Sequence, residues 1–486
     1  MATNIAGVGN ISSAGIGSGL DVSSIVSKLM SLERAPLTAL ENQATSFNTR
    51  LSTLGRLQSL YSSLRDKSNA LVSPALWTGT TATASDSSAL KVSTTASAVP
   101  GSYAVAVNRL AVGQTAIGAT LPDTSTRLGA GTLTIELGSY GDGSPAADFS
   151  PKTGSSAITL SIGAADSSLA GLRDKINMAN AGVLASIVTD ASGARLSIRS
   201  RETGAENAFR LTASDASDDG NAATGLSALG FDATAASSAM QRTSSAANAD
   251  LTINGIAITS ASNTLSNVVD GLTVTLQKAS PTPVDVTVKS DTAAVRGAIT
   301  DFAAAFNALA SFLHTQTAYN ADNKTGGSLQ GDQGALGMQS QLRGVLNEAS
   351  SASTQWGRLS GIGMALKADG TLETSTTKLD NALENLGELR KLLATDGSSS
   401  GDSGFARRFK RLADDSLGTN GSIDSRSAGL RTSLNRNSKS QVAVQKRLDQ
   451  TEARLRAQYT TLDTTMAKLS TTSAYVKQQF STKPII

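Results

Sequence analysis

Residues 447–480 read RLDQTEARLRAQYTTLDTTMAKLSTTSAYVKQQF, and apolar side chains recur in this stretch at helical spacing. The heptad series that it belongs to comprises Leu434, Gln441, Leu448, Leu455, Leu462, Leu469 and Val476. A second series comprises Tyr459, Met466, Ser473 and Phe480, with Leu430, Asn437 and Val444 as the upstream companions. This pattern predicts a helix over 430–480, roughly 75 Å long at about 1.5 Å per residue. Such a helix is too long to be hidden inside one globule.

The first part of the chain carries a matching helical pattern. Residues 15–37 read GIGSGLDVSSIVSKLMSLERAPL, and Asp21 fits the N-cap position of a helix. The stripe on this helix comprises Val22, Ile25, Leu29 and Leu32. Pro36 separates it from a second helix that is predicted to reach Val72. The second helix has one seam that includes Leu40, Phe47, Leu51 and Leu54 and another at Leu57, Leu64 and Leu71. Two seams on one rod predict neighbours on two sides.

The middle of the chain, from Thr78 to Ser290, changes to the alternating period that is typical of strands. The predicted strands are 102–112, 132–137, 157–162, 182–190, 194–200, 249–258, 272–277 and 284–289. One short helix is predicted over 168–180. The low-complexity stretches 138–156 and 213–248 are predicted to be loops that bound an insertion.

Helical periodicity then returns, so the two ends of the chain are expected to meet. The predicted helices are 291–314, 332–347, 375–394 and 405–417, with a hairpin over 366–373. The predicted fold class is α+β multidomain, with a helical or coiled-coil domain built from both chain ends and two β-rich domains, one inserted in the other. The predicted domains are terminal helices (1–40 and 430–486), a helical bundle (41–77 and 291–429), a β-rich domain (78–113 and 240–290) and an inserted β-rich domain (114–239).

The composition argues against an enzyme. The 486 residues include no Cys and one His, which excludes disulfides, thiol catalysis and Cys-ligated zinc. Ser399 in GSSSG matches the nucleophile motif G-x-S-x-G only formally, because that motif needs a strand, a helix and a His base. His314 lies in a predicted helix, and the glycines of 15–19 lack the strand and lysine of a phosphate loop. We therefore predict no catalytic residue, no cofactor and no metal site.

The charge distribution and the N-terminus bear on partners and location. Formal net charge is +3, and residues 405–486 carry 15 basic and six acidic side chains, which we interpret as the solvated face of the heptad helix. Nucleic acid is not predicted as a partner. Residues 1–17 show neither a basic region nor an apolar core of a signal peptide, and no run of about 20 apolar residues is present. Export without a cleavable signal peptide, and no membrane insertion, are the expectations.

The terminal helices allow two interpretations. They could form an intramolecular bundle, or they could join separate chains. The doubled seam, the distal series of Leu, Tyr, Met and Phe, and the glycine arm favour the second interpretation, because a segment that cannot bury its seam alone needs partners. The candidate contact residues are Val22, Ile25, Leu29, Leu32, Leu40, Phe47, Leu51, Leu54, Leu455, Tyr459, Leu462, Met466, Leu469, Val476 and Phe480.

Several stretches together resemble the family of bacterial flagellar hook-associated protein 2, the filament-capping proteins. Residues 15–37, the helix after them and GSYAVAVNRLAVGQ (101–114) look like the N-terminal region of that family. ADLTINGIAITSASNTLSNVVDGLTVTLQKAS (249–280), with DFAAAFNALASFL and SLQGDQGALGMQSQLR, resembles its C-terminal region. Residues 168–200 are similar to the insert motif that flagellins and hook-associated proteins share, which places that motif in the inserted domain.

The resemblance implies an extracellular structural cap at the tip of the flagellum, formed by a homo-oligomeric ring. It implies that the terminal helices are axial, that the helical bundle is a leg, and that the cap retains exported flagellin and promotes its folding and insertion. Flagellin, the hook–filament junction protein and a flagellar export chaperone are the implied partners. Two alternatives stay open: an adhesin whose β-domains bind host glycan or mucin, and another axial component such as a junction protein or flagellin.

Overall fold

The structure is a computed structural model, and it describes residues 21–481 except 218, 222 and 323. Two compact units can be distinguished by their internal contacts. The helical unit is built from both ends of the chain, up to Leu76 and from Thr292 onward. The β unit spans Trp77–Asp291. Mixed helix and sheet, with helical ends and a β-rich middle, confirms the predicted fold class.

The helices are α1 (Val22–Glu33), α2 (Ala35–Val72), α3 (Pro74–Thr78), α4 (Leu169–Met178), α5 (Thr292–Thr317), α6 (Gln333–Asn347), α7 (Thr376–Leu383), α8 (Leu386–Ala394), α9 (Phe405–Leu417) and α10 (Ser422–Ser481). Most of them begin and end within a few residues of the predicted bounds. The helix that was predicted over 375–394 is instead two, because Asn385 accepts a hydrogen bond from the Glu388 backbone and starts a new helix. Among the described helices, none is both long enough and apolar enough to cross a bilayer.

The strands are β1 (Thr80–Ala84), β2 (Leu90–Thr94), β3 (Gly101–Arg109), β4 (Thr115–Ile117), β5 (Gly131–Tyr140), β6 (Phe149–Pro151), β7 (Ile158–Ile162), β8 (Val183–Asp190), β9 (Gly193–Ser200), β10 (Ala208–Asp215), β11 (Gln241–Ser244), β12 (Ala249–Ile253), β13 (Ile256–Ser260), β14 (Thr264–Val269), β15 (Leu272–Leu276), β16 (Ser280–Ser290), β17 (Tyr319–Asn320), β18 (Thr325–Gly326), β19 (Met364–Leu366) and β20 (Leu372–Thr374).

The β unit contains two hydrophobic cores. The first lies between a five-stranded sheet, of order β1-β16-β3-β12-β13, and a three-stranded sheet, β14-β15-β2. The second lies between β11-β4-β9-β8 and a sheet of β10, β5, β6 and β7, with α4 packed against β8. The chain enters the second region after β3 and returns before β12, where the antiparallel bridge Val112–Ala247 joins the two crossings.

Two sequence expectations about the β unit were wrong. The single strand predicted over 249–258 is a hairpin, because Asn254 and Gly255 both have positive φ (50° and 81°) and form a tight turn. The stretches 138–156 and 213–248, which were predicted to be loops, contain β6 and β11 and the ends of β5 and β10. Both stretches are rich in Gly, Ala, Ser and Asp, but Tyr140, Phe231 and Met240 within them pack in the second core. Pairing with neighbouring strands and this packing, and not the overall composition, determine their structure.

In the helical unit, α2 packs against α5, α9 and α10. Residues 54–72 of α2 supply buried side chains to this core, which are Leu54, Leu57, Leu60, Tyr61, Leu64 and Leu71. Phe409 of α9 lies 5.3 Å from Phe302 and 5.6 Å from Phe306, measured between ring centroids. We call α5–α9 with residues 54–72 the bundle. We call α1, residues 35–52 and residues 430–459 the stalk.

A buried arginine holds two loops onto the bundle. The side chain of Arg408, only 2% exposed, donates from Nε to the Ser403 carbonyl (3.0 Å) and from Nη1 to the Glu348 carbonyl (3.1 Å). Its Nη2 donates to the Ala349 carbonyl (3.1 Å) and to the Gly401 carbonyl (3.2 Å). The guanidinium thus links the segment around Glu348 to the segment around Ser403 by charge-assisted hydrogen bonds. It shares the Ser403 carbonyl with the Ser350 hydroxyl (3.0 Å) and the Gly401 carbonyl with the Ser351 backbone N–H (2.9 Å).

A carboxylate on α8 fixes another loop and predicts a pH dependence. Glu388 accepts hydrogen bonds from Lys391, from the Ser353 hydroxyl and from the Thr354 backbone, each 2.8 Å long. These donors, Lys391 first, lower the pKa of Glu388 from 4.5 to about 2. Because the folded-state pKa is lowered, the contribution to stability is complete above pH 4.5 and is lost as the pH falls towards 2.

We therefore expect Glu388→Gln to flatten the acid limb of the stability profile between pH 4.5 and 2. The check is the denaturant midpoint of the chain at a series of pH values, with the exposed Glu384→Gln as the matched control. An equally steep acid limb in Glu388→Gln and the wild type would contradict the assignment.

Candidate assembly surface of the terminal helices

The stalk is an antiparallel pair of helices, with α1 and α2 on one side and α10 on the other. Residues 50–54 of α2 line the same cavity as 426–430, and Leu40 lies against Asn437 and Gln441. Further out, α1 packs on α10. There the apolar cluster of α1 with α10 has a buried centre at Val22, Val26, Met30 and Leu448, with Leu37, Val444, Leu455 and Tyr459 partly buried around it.

A polar layer interrupts the apolar seam of the stalk. Asn437, 5% exposed, donates from Nδ2 to the Leu40 carbonyl (3.1 Å) and to Gln43 Oε1 (2.8 Å). Gln441 Nε2 donates in turn to Asn437 Oδ1 (2.7 Å). A buried Asn in a helix seam costs stability but is satisfied in one register only. The layer therefore fixes how α2 aligns with α10.

On α1, the structure separates the predicted stripe into two faces. Val22 is buried against α10, whereas Ile25 and Leu29 are half-buried and Leu32 is 75% exposed. The row that packs on α10 consists of Val22, Val26 and Met30, of which the last two were not predicted. Both rows have helical spacing, so the sequence pattern alone does not distinguish them; the i, i+4 series from Val22 was the signal for the inner row. We call Ile25, Leu29 and Leu32 the outer face of α1.

On α2, the predicted seam runs from the stalk into the bundle. Leu40, Phe47 and Leu51 are half-buried along the stalk. Leu54 is 2% exposed and lies in the core of its own chain, so its side chain already has packing partners. Leu40, Phe47 and Leu51 therefore keep exposed surface on the stalk, and Leu54 does not.

On α10, the predicted residues divide at Tyr459. Leu455 and Tyr459 are half-buried against α1. Beyond them, five apolar side chains are exposed, which are Leu462 (45%), Met466 (44%), Leu469 (59%), Val476 (44%) and Phe480 (79%). We call these five the distal stripe. Since α1 begins beside Leu455 and Tyr459, residues 21–481 supply no helix that covers the distal stripe. The predicted glycine arm, Gly15–Gly19, lies outside the described residues.

The distal part of α10 also differs in charge from the part before it. Residues 457–481 contain Asp463, Lys468 and Lys477 as their only charged side chains. Residues 424–456 of the same helix contain 11, among them the i, i+4 pair Glu452–Arg456 at 2.8 Å. A surface with few charges has a small desolvation cost when it is buried. The distal stripe therefore suits apolar contact better than ionic recognition.

Ser399 and His314, the two side chains with candidate chemistry, lie on different elements. Ser399 lies in a loop, where its hydroxyl accepts a hydrogen bond from the Asp402 backbone (3.3 Å). His314 is exposed on α5. Within the described ranges, no group of three or more His, Asp or Glu side chains is placed to hold a metal ion.

Comparisons with known proteins agree with the fold. The family model described as the N-terminus of flagellar hook-associated protein 2 matches residues 18–114, and the C-terminus model matches 246–471. The flagellin hook IN motif matches 149–202, inside the second region of the β unit.

Curated relatives cover nearly the whole chain. It is 34% identical over 482 residues to flagellar hook-associated protein 2 of Escherichia coli (strain K12). This alignment covers 97% of this chain and 98% of that protein. It is 32% identical over 468 residues to the B-type flagellar hook-associated protein 2 of Pseudomonas aeruginosa PAO1, and this alignment covers 93% of each protein.

A solved structure shares the architecture. The crystal structure of the flagellar cap protein FliD D1-D2-D3 domains from Escherichia coli matches with a TM-score of 0.58 at 32% identity, over 78% of this chain and 99% of that chain. These names support the filament-capping expectation and not the adhesin alternative. The chain therefore belongs to the flagellar hook-associated protein 2 family, the family of the flagellar cap proteins.

Proposed function

We propose that this protein caps the distal tip of the bacterial flagellar filament as a homo-oligomer, and that the distal stripe and the outer face of α1 join its copies to one another and to the filament. The observation that carries the proposal is the distal stripe. Its five side chains alternate at three- and four-residue spacing, apart from Ser473, and each is at least 44% exposed.

The energetics favour several neighbours over one. Full burial of a Leu, Val, Met or Phe side chain is worth about 1.5–3 kcal/mol relative to exposure. Because association costs roughly 4–15 kcal/mol of lost freedom and ordering, one distal stripe gives a modest net affinity. Burial against several chains at once gives a stable cap, while each leg remains able to leave its position and bind again.

The partners follow from this placement. Flagellin that leaves the export channel would meet the cap at its axial side, where the apolar helices retain it while it folds and inserts. The hook–filament junction protein would provide the first surface on which the cap assembles. An export chaperone would cover the same apolar helices before secretion, which would then occur without a cleavable signal peptide. The protein acts as a structural component and not as an enzyme.

Removal of residues 1–40 tests the proposal. We expect the β unit to remain folded, because its two cores draw on Trp77–Asp291 alone. Filament growth should be lost, with flagellin released into the medium, because α1 and the residues before it no longer complete the axial contacts. Filament length by electron microscopy and flagellin in the culture supernatant are the measurements. Filaments of normal length would refute the proposed role of the N-terminal helices.

A further inference from the structure

We infer that the stalk bends on a soft hinge at the turn where it leaves the bundle, formed by Gly55 of α2 and Gly429 of α10. Each of these two long helices contains one glycine. Leu54, the neighbour of Gly55, lines the same cavity as Gly429, so the two glycines lie at the same height on an antiparallel pair. Glycine in a helix interior costs about 1 kcal/mol relative to alanine.

Packing does not require either glycine. A Cβ built on Gly55 or on Gly429 would have no atom of another group within 4 Å. Alanine would therefore fit at both positions and would strengthen both helices. Other helix glycines, such as Gly297, also have no atom within 4 Å of a built Cβ. The pair differs from them in position, because its two glycines lie side by side on the two helices where the stalk leaves the bundle.

Threonine side chains soften the same turns. On α2, Thr49 Oγ1 donates to the Thr45 carbonyl and Thr53 Oγ1 to the Thr49 carbonyl (3.0 and 2.9 Å). On α10, Thr432 Oγ1 donates to the Ala428 carbonyl (3.0 Å), across the peptide bonds of Gly429. Back-bonding of this kind competes with the helix hydrogen bonds and often bends the helix.

The surroundings place the hinge between two fixed layers. On the bundle side, Thr53 Oγ1 lies 2.7 Å from Ser328 Oγ, and Arg426 is paired with Asp332. On the stalk side, the polar layer at Asn437 fixes the register. Between these layers lies a cavity of about 240 Å³, lined by Leu54, Leu329 and Gly429 among others. This cavity leaves room for the stalk to tilt against the bundle. The two layers keep α2 and α10 paired during the tilt.

The hinge would let the stalk swing relative to the bundle without unfolding. Lys446 lies 17 residues beyond Gly429, roughly 25 Å along the helix, so a tilt of about 15° would displace it by roughly 7 Å. In the capping role, on which this consequence rests, such a swing would allow the stalk of one copy to release a filament position while the bundle of that copy stays in place.

Spin-label distance measurements on the full chain test the hinge directly. The chain has no Cys, so Ala304→Cys in the bundle and Lys446→Cys in the stalk place labels at two exposed positions without other changes. Dilution with unlabelled chain restricts the signal to distances within one copy. We expect a broad distance distribution for this pair and a narrow one for a bundle pair, Ala304→Cys with Gln341→Cys.

Stiffening variants supply the decisive comparison. Gly55→Ala with Gly429→Ala should narrow the stalk–bundle distribution, and amide exchange around both positions should slow about fivefold per substitution. Gly297→Ala on α5, where a Cβ also meets nothing within 4 Å, is the matched control and should leave the distribution unchanged. The inference is overturned if the wild-type stalk–bundle distribution is as narrow as the bundle pair, if the double variant keeps its width, or if Gly297→Ala narrows it equally.

The two proposals fail separately. The distance measurement needs no filament, so it judges the hinge even if the capping role is wrong. In cells, the double variant should form normal oligomers and cap filaments that grow more slowly, whereas removal of residues 1–40 should abolish growth. If the double variant shows a narrowed stalk–bundle distance distribution but normal filament growth, the hinge is supported and its link to capping is refuted.

Discussion

Replacement of Leu462 and Leu469 together by aspartate is expected to convert the assembled cap to monomers while the monomer keeps its fold. Both side chains are exposed in the single chain (45% and 59%), so the substitution removes no core contact. In the assembly, the loss of two buried Leu side chains costs about 3–6 kcal/mol per copy, before the penalty for burying two carboxylates is added. Because each 1.4 kcal/mol is about a tenfold change, the dissociation constant should rise at least ~100-fold.

Sedimentation velocity of the purified chains checks this result, with export measured in the same strains. Thr464→Asp with Thr471→Asp is the matched control, because these exposed residues lie on the opposite face of the same helix. The control should add the same charge and leave the oligomer intact. An unchanged oligomer in the leucine variant, or an equal loss in the control, would show that the distal stripe is not the contact surface.

Arg408→Ala is expected to lower the free energy of unfolding of the helical unit by at least about 1.5–3 kcal/mol, the contribution of hydrogen bonds to a charged group. The change leaves four loop carbonyls without the donor that they share. It also removes the guanidinium that stacks 4.8 Å from the centroid of the Phe405 ring.

Two variants identify the reason for this loss. Arg408→Lys keeps the charge but cannot reproduce the planar set of donors, so it should recover little of the stability. Arg407→Ala, next in sequence, removes a 3.5 Å ion pair with Asp396 and one hydrogen bond to the Ala394 carbonyl (3.2 Å). Because Arg407 is half-exposed, this change should cost only about 1 kcal/mol. Urea unfolding followed by the helical signal gives all three values. A loss for Arg408→Ala no larger than that for Arg407→Ala would contradict the role assigned to the buried guanidinium.

The helical architecture could be predicted from sequence because its signals are local. Asp21 accepts the predicted cap hydrogen bond from the Ser24 backbone, at 2.9 Å, and Pro36 lies in the first turn of α2. The heptads of α10 predicted a long helix, although it begins earlier, at Ser422, because Gly429 does not end it. A single glycine costs too little to break a helix of 60 residues that packs along one side.

The features that the sequence could not reveal depend on distant partners. Nothing near Arg408 in sequence indicates that the carbonyls of Glu348 and Gly401 converge on it. Likewise, α1 has two apolar rows, and only the position of α10 determines that Val26 and Met30 form the inner one. Strand β1 was missed because it consists of Thr and Ala, which become strand-like here through pairing with β16. Strand β10 was missed although Phe209 and Leu211 alternate in it at strand spacing and are buried.

The distal stripe is exposed because no described helix lies beside it. A heptad pattern in the sequence does not show whether a neighbouring helix covers the apolar residues. The same pattern would arise in an intramolecular bundle and in an assembly between chains. The role of the stripe in joining chains therefore remains a prediction, and it rests on where α1 begins relative to Tyr459.

Cryo-electron microscopy of the cap on a filament end tests the central claim most directly. The account predicts that Leu462, Leu469 and Phe480 of each copy are buried against neighbouring copies or filament subunits. It is contradicted if these side chains face solvent in the assembled cap, or if residues 1–20 of the same copy alone cover them.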